Sequence, residues 1–192
     1  ARAWLVVALA AASAGVAQGF GRFTLGVVLP AIRSDLGLSN TIAGSLATAN
    51  VAAYLVGTLA VAMASSRIRL ITIMKAGLLI AVGGQVLSAV APNAPVLAVG
   101  MFCSGFGGAW VWIPTPVVAS SVFPPEKRGT AIGFLSSGMA LSIVFTSQLA
   151  GWVRRIWGDA GWRNVYVVQA AIGLLIAVAT IAIVRHAQEQ LS

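Results

Sequence analysis

The chain has 192 residues, of which 59% are apolar and 8% charged, and its mean hydropathy is +0.95. That is about a third of the charged fraction usual in a soluble domain, which excludes one and points to an all-α integral membrane protein. The formal charge of +8 does not indicate nucleic acid, because the basic residues sit in short connections between apolar runs, where orientation across a bilayer accounts for them.

In chain order, the apolar runs predict six transmembrane helices near 4–29, 42–64, 71–91, 95–122, 130–153 and 164–184. Each approaches or exceeds the roughly 20 residues that cross about 30 Å of hydrocarbon. A β-barrel would need alternating segments of about ten residues, and none is present. The first run is too long for a secretory signal and no cleavage site follows it, although the initial Ala suggests a processed or trimmed start.

The first span contains Gly19-Phe20-Gly21-Arg22-Phe23 and ends at Pro30. A guanidinium there costs roughly 2.5–3.5 kcal/mol near a span centre. Arg22 therefore either faces a cavity, with anion binding as its natural use, or snorkels to the outer headgroups about 12 Å away. Spans two, four and five offer small-residue ladders for close packing: Gly44, Thr48 and Ala52; Gly100, Ser104 and Gly108; Gly138, Ser142, Thr146 and Ala150. Cys103 is the only cysteine and reads as a packing residue, with no disulfide, redox or metal role.

A cytoplasmic N-terminus places Arg2, Arg67, Arg69, Lys75, Lys127, Arg128 and Arg185 inside and Arg33, Arg154, Arg155 and Arg163 outside. This bias favours both termini in the cytoplasm. Lys75, about one turn into span three, would snorkel inward, and Trp152, Trp157 and Trp162 would form an outer aromatic belt. Gly19-Phe20-Gly21 with Pro30 is echoed by Gly105-Phe106-Gly107-Gly108 with Pro114 in a span of opposite direction, as a three-plus-three inverted repeat requires.

Phe123-Pro124-Pro125-Glu126-Lys127-Arg128-Gly129-Thr130-Ala131-Ile132-Gly133-Phe134 resembles the inner loop between helices four and five of the major facilitator superfamily. Gly161-Trp162-Arg163 is similar to that superfamily's start of helix six. Gly21-Arg22-Phe23, followed by Leu29-Pro30-Ala31-Ile32-Arg33-Ser34-Asp35-Leu36-Gly37-Leu38-Ser39, resembles a bacterial subfamily of largely unassigned transporters, the YbfB type. The resemblance covers the whole chain as the six-helix N-terminal half of a twelve-helix fold in the bacterial cytoplasmic membrane. Three departures accompany it. Val61 and Ala64 stand where the loop after helix two usually carries Asp and Gly; Met101 stands for an Arg four residues before Gly105; and Ser137-Gly138 replaces the Gly-Pro of drug antiporters.

The resemblance places helices one, two, four and five around a central cavity, so the candidate substrate-binding residues are Arg22, Gln18, Asn50, Tyr54, Trp110, Trp112 and Gln148. All but Arg22 could equally be interhelical hydrogen bonders or interface aromatics. Glu126 and Arg128, with the remnant Arg67 and Arg69, are implied to form an inner charge network that gates the cavity, against the alternative of a solvated pair worth under about 1 kcal/mol. The acids Asp35, Glu126, Asp159 and Glu189 all fall in connections or the tail, leaving no embedded carboxylate for a proton relay. Ser104-Gly105 and Ser137-Gly138 lack the preceding Gly of a membrane serine protease, and His186 is the only histidine, so neither an enzyme nor a metal or cofactor is expected. The expected function is transport of a small, anionic organic solute by alternating access. The expected partners are the lipid bilayer and a second six-helix half, in cis or as another chain. The alternative is a scaffold subunit of a larger membrane complex that has lost transport.

Overall fold

The computed structural model describes residues 2–188, with side chains described over 3–183. The side chains of Arg2, Arg185, His186 and Glu189 lie outside the described residues. Six helices are long and apolar enough to cross a membrane: α1 (Ala3–Leu36), α2 (Asn40–Ala64), α3 (Leu70–Ala89), α4 (Ala94–Ser121), α5 (Pro125–Trp157) and α6 (Asp159–Ile183). Connections are so short that each helix must turn back beside its predecessor. Contacts define the two ends of the bundle. Trp4 packs edge-on against Phe123 and Phe134, which joins the start of α1 to the end of α4 and the start of α5. At the opposite end Arg163 reaches Asp35 and the Ala91 carbonyl, joining α1, the α3–α4 turn and α6.

Local chemistry sets most boundaries. The Ser39 hydroxyl accepts from the Ile42 amide at 3.2 Å and the Asn93 side chain from the Val96 amide at 3.1 Å, capping α2 and α4. Gly37, at φ 60°, closes α1 in the left-handed conformation that glycine adopts without strain. Pro30 does not end α1: the helix continues to Leu36. A proline removes one donor, but in apolar surroundings every further unpaired backbone group is costlier than a local irregularity, so the helix persists. Pro114 does interrupt α4, which turns at Ile113 and resumes at Thr115; the Thr115 hydroxyl donates back to the Val111 carbonyl.

Helix contacts run through small residues, with one correction. Gly100 and Ser104 of α4 meet Gly84 and Ser88 of α3, and Gly138 of α5 sits so close to the Ala11 carbonyl that a Cβ would lie 2.7 Å from it. Thr146 and Ala150 are likewise buried. The ladder expected on α2 does not pack within these six helices: Gly44, Thr48 and Ala52 are exposed. The packed stripe of α2 is instead Ala43, Leu46, Asn50, Ala53, Gly57 and Val61. Spacing alone cannot choose between two stripes on a helix that is apolar all round. Trp162 is also not part of an aromatic belt, being 2% exposed, whereas Trp152 and Trp157 are exposed and pack edge-on.

Candidate functional site around Arg22

Residues 15–23 of α1, Gly-Val-Ala-Gln-Gly-Phe-Gly-Arg-Phe, form a π-helix. Such widened turns are rare and concentrate at functional positions. Three glycines within nine residues lower steric resistance to widening, and the carbonyls of this stretch find side-chain donors. Gln85 Nε2 of α3 donates to the Val16 carbonyl at 3.1 Å. Asn50 Nδ2 of α2 donates to the Gly21 carbonyl at 3.1 Å and to the Met101 carbonyl of α4 at 2.9 Å. Gln18 Nε2 donates outward from α1 to the Gly108 carbonyl at 3.4 Å. Three neighbouring helices thereby hold the segment that carries Arg22.

Arg22 itself is exposed, and its guanidinium lies 4.7 Å from the centroid of the half-buried Tyr54 ring. That stack holds the charge against α2 while leaving its donors accessible. Beside it, α1 and α2 enclose a groove of about 250 Å³ lined by Arg22, Phe23, Leu25, Gly26, Leu29, Ala47, Asn50 and Val51. Arg22, Tyr54, Gln18 and Asn50 thus fall in one place. Trp112 is half-buried, one turn beyond Gly108 on α4. Trp110 lies elsewhere: its Cβ packs on Gly77 of α3, and its Nε1 is buried without a hydrogen-bond partner among the described residues. Gln148 is exposed on α5, about 200° around the helix from the buried Thr146, and makes no hydrogen bond in common with the Arg22 group.

The four residues expected at the inner gate lie at the Trp4 end. Glu126, Arg67 and Arg69 are exposed and form no ion pair among the described residues, while Arg128 Nε donates to the Phe123 carbonyl at 3.5 Å. The opposite end holds a cluster that the sequence did not reveal. Asp35 Oδ2 accepts from Arg163 Nη1 at 2.7 Å and from Trp162 Nε1 at 3.0 Å. Arg163 also donates from Nε and Nη2 to the Ala91 carbonyl and stacks 4.3 Å from the Trp162 ring. Buried polar contacts between spans were missed as well: Thr24 donates to Gln169, which donates to Thr146, and Ser13 pairs with Thr180. Two mid-span glutamines, Gln85 and Gln169, were the available signal. Among the described residues no group of three His, Cys, Asp or Glu could hold a metal ion.

The sequence pattern of the Major Facilitator Superfamily matches residues 11–191. The chain is 29% identical over 155 residues to the uncharacterized transporter YgaY of Escherichia coli O157:H7, covering 79% of this chain and 38% of that protein. It is 29% identical over 163 residues to GudP of Bacillus subtilis, named "Probable galactarate/D-glucarate transporter", covering 82% and 35%. The chain therefore spans less than two fifths of the length of these curated relatives. Among solved structures, a bacterial homologue of the human lysosomal transporter Spinster, inward-facing and unoccupied, superposes with a TM-score of 0.79 at 21% identity, covering 95% of this chain and 43% of that one.

Proposed function

The chain belongs to the Major Facilitator Superfamily, and on that premise we propose that it is one six-helix half of a secondary transporter moving a small anionic organic solute by alternating access. The observation that carries this reading is Arg22: a guanidinium at mid-span, stacked on Tyr54, with its donors accessible and the backbone beneath it pinned by Asn50. An embedded charge is retained at a cost of several kcal/mol only where something compensates it, and the described residues supply no carboxylate near it. An anionic solute supplies the missing charge, and its fork of donors suits a carboxylate or phosphate. The Bacillus subtilis relative is likewise named for the transport of organic anions, galactarate and D-glucarate.

In this reading a second six-helix half faces the exposed sides of α1, α2 and α5 across the cavity. Both termini lie in the cytoplasm of a bacterium, and Glu126, Arg128, Arg67 and Arg69 meet partners at the inner face as the halves rock. The subfamily is the YbfB type. The test is uptake by the full-length protein in proteoliposomes loaded with a panel of organic anions. Arg22→Ala is expected to abolish exchange of whichever anion the wild type carries, with protein yield and unfolding unchanged. Undiminished exchange by that variant, or co-purification in stoichiometric amounts with a larger complex and no exchange at all, would replace transport with a scaffold role.

A further inference from the structure

We propose that the ligand of the Arg22 seat is a monoanion with an apolar body, an aliphatic or aromatic monocarboxylate, and not a polyhydroxylated or doubly charged acid; this rests on the anion-binding reading of Arg22. The first observation is charge. Of the twelve Lys and Arg residues, Arg22 alone stands more than two turns from the ends of its helix, so this half offers one embedded cation. The second is the state of the neighbouring amides. Asn50 is 3% exposed and spends Nδ2 on two backbone carbonyls, and Gln18, 4% exposed, spends Nε2 on a third. Asn50 has no amide hydrogen left to read a hydroxyl, and Gln18 has spent one of its two and does not line the groove, so a polyol placed here would lose water contacts with little replacement.

The third observation is the groove that leads away from the guanidinium. Its walls beyond Arg22 and the inward-turned Asn50 are Gly26, Leu29, Ala47 and Val51 with two further apolar residues. Gly26, one turn from Arg22, has nothing within 4 Å of the position a Cβ would take, so it keeps the groove open without packing against anything. Its volume of about 250 Å³ has room for a ring or a short chain. A carboxylate on the guanidinium lays that apolar body along α1, where it gains burial. A lipid anion has the same head-and-tail chemistry, and the experiment separates the two sources.

Full-length protein in phosphatidylcholine nanodiscs is titrated with acetate, hexanoate, benzoate, benzamide and D-glucarate, followed by tryptophan fluorescence. Hexanoate is expected to bind at least about tenfold more tightly than acetate, and benzoate at least about tenfold more tightly than benzamide or D-glucarate. Arg22→Gln removes the preference for benzoate over benzamide. Gly26→Leu, whose Cβ meets no neighbour within 4 Å in these six helices, removes the hexanoate advantage and leaves acetate unchanged, with an unfolding midpoint equal to wild type as its folding control. D-glucarate binding as tightly as hexanoate, with Arg22 dependence, overturns this inference and leaves the anion site standing. Equal affinity for benzoate and benzamide, unchanged in Arg22→Gln, overturns both. Hexanoate binding that disappears in phosphatidylglycerol nanodiscs gives the seat to a lipid anion and overturns the solute assignment.

Discussion

Asn50 and Gln85 are both buried amides that donate to carbonyls of the π-helical segment, yet replacing them should have opposite consequences. Asn50 makes two interhelical bonds, at 3.1 and 2.9 Å, to Gly21 and Met101, both buried. Interhelical polar contacts in membrane proteins average about 0.6 kcal/mol and reach about 1.7. Asn50→Leu, close in size, deletes both bonds and leaves two dry carbonyls, so a loss of about 2 kcal/mol is expected. Gln85 makes one bond, to Val16 at 3.1 Å, while its Oε1 is buried without a partner among the described residues. Gln85→Leu forfeits about 0.6 kcal/mol but relieves an orphaned acceptor whose burial costs about 1–3 kcal/mol. The net change should lie near zero or be stabilising. Reversible unfolding in mixed micelles, read by tryptophan fluorescence, measures both. Equal losses, or a larger one for Gln85→Leu, would mean that unsatisfied acceptors in the seam do not decide stability here. Because Asn50 holds the carbonyl next to Arg22, Asn50→Leu should also weaken anion binding, whereas Gln85→Leu should not.

The Asp35 cluster should respond asymmetrically. Asp35→Ala strands the Nε1 of Trp162, which is 2% exposed, at a cost of about 1–3 kcal/mol. Arg163→Ala opens a site already 30% exposed to water and should cost about 1 kcal/mol. Asp35→Asn, which keeps an acceptor for Trp162, should recover most of the difference, and unfolding midpoints of the three variants decide it. Glycine positions divide in the same way. A Cβ at Gly57 would lie 2.8 Å from the Phe106 carbonyl and 2.9 Å from the Ala109 Cβ, so Gly57→Ala should cost about 1–3 kcal/mol by forcing α2 from α4. Gly83, with nothing within 4 Å, should accept Ala with a gain of up to about 1 kcal/mol in the same assay.

Much of this arrangement was legible because lipid leaves so few options. Long apolar runs must be helices, so the six spans followed from composition and punctuation. The Arg22 position was legible for the same reason: a charge in an apolar run announces itself by its cost. What failed were choices among equivalent faces. Two stripes of small residues compete on α2, and only the route of α4, where Gly105 meets the Asn50 carbonyl, selects the one containing Gly57. Pro30 misled because a proline in an apolar bundle costs one hydrogen bond, not the helix. Trp110 and Gly108 are two residues apart, so they face different neighbours, α3 and α1, and no property of tryptophan foretells which. The π-helix had a composition signal in its glycines, but the donors that reach its carbonyls come from residues 29 and 69 positions away.

The distribution of pairing along the bundle bears on how such a half could move. At the Asp35 end, α1, the α3–α4 turn and α6 are tied by an ion pair, a buried indole and a shared carbonyl. At mid-depth, amides of α2 and α3 grip the π segment, and Thr24, Gln169 and Thr146 connect α1, α6 and α5. These links are all internal to the six helices, so they oppose relative sliding of α1 against its neighbours and favour motion as one body. At the Trp4 end Trp4 packs edge-on against Phe123 and Phe134 and Arg128 donates to the Phe123 carbonyl, while Glu126, Arg67 and Arg69 carry charge with no ion-pair partner among the described residues. Charges left unpaired cost little while solvated and gain when a surface of opposite sign approaches. In the proposed transporter, a body stiffened at one end and through its middle, with charge lacking an ion-pair partner at the other, would exchange contacts with the second half at that other end while keeping Arg22 on Tyr54.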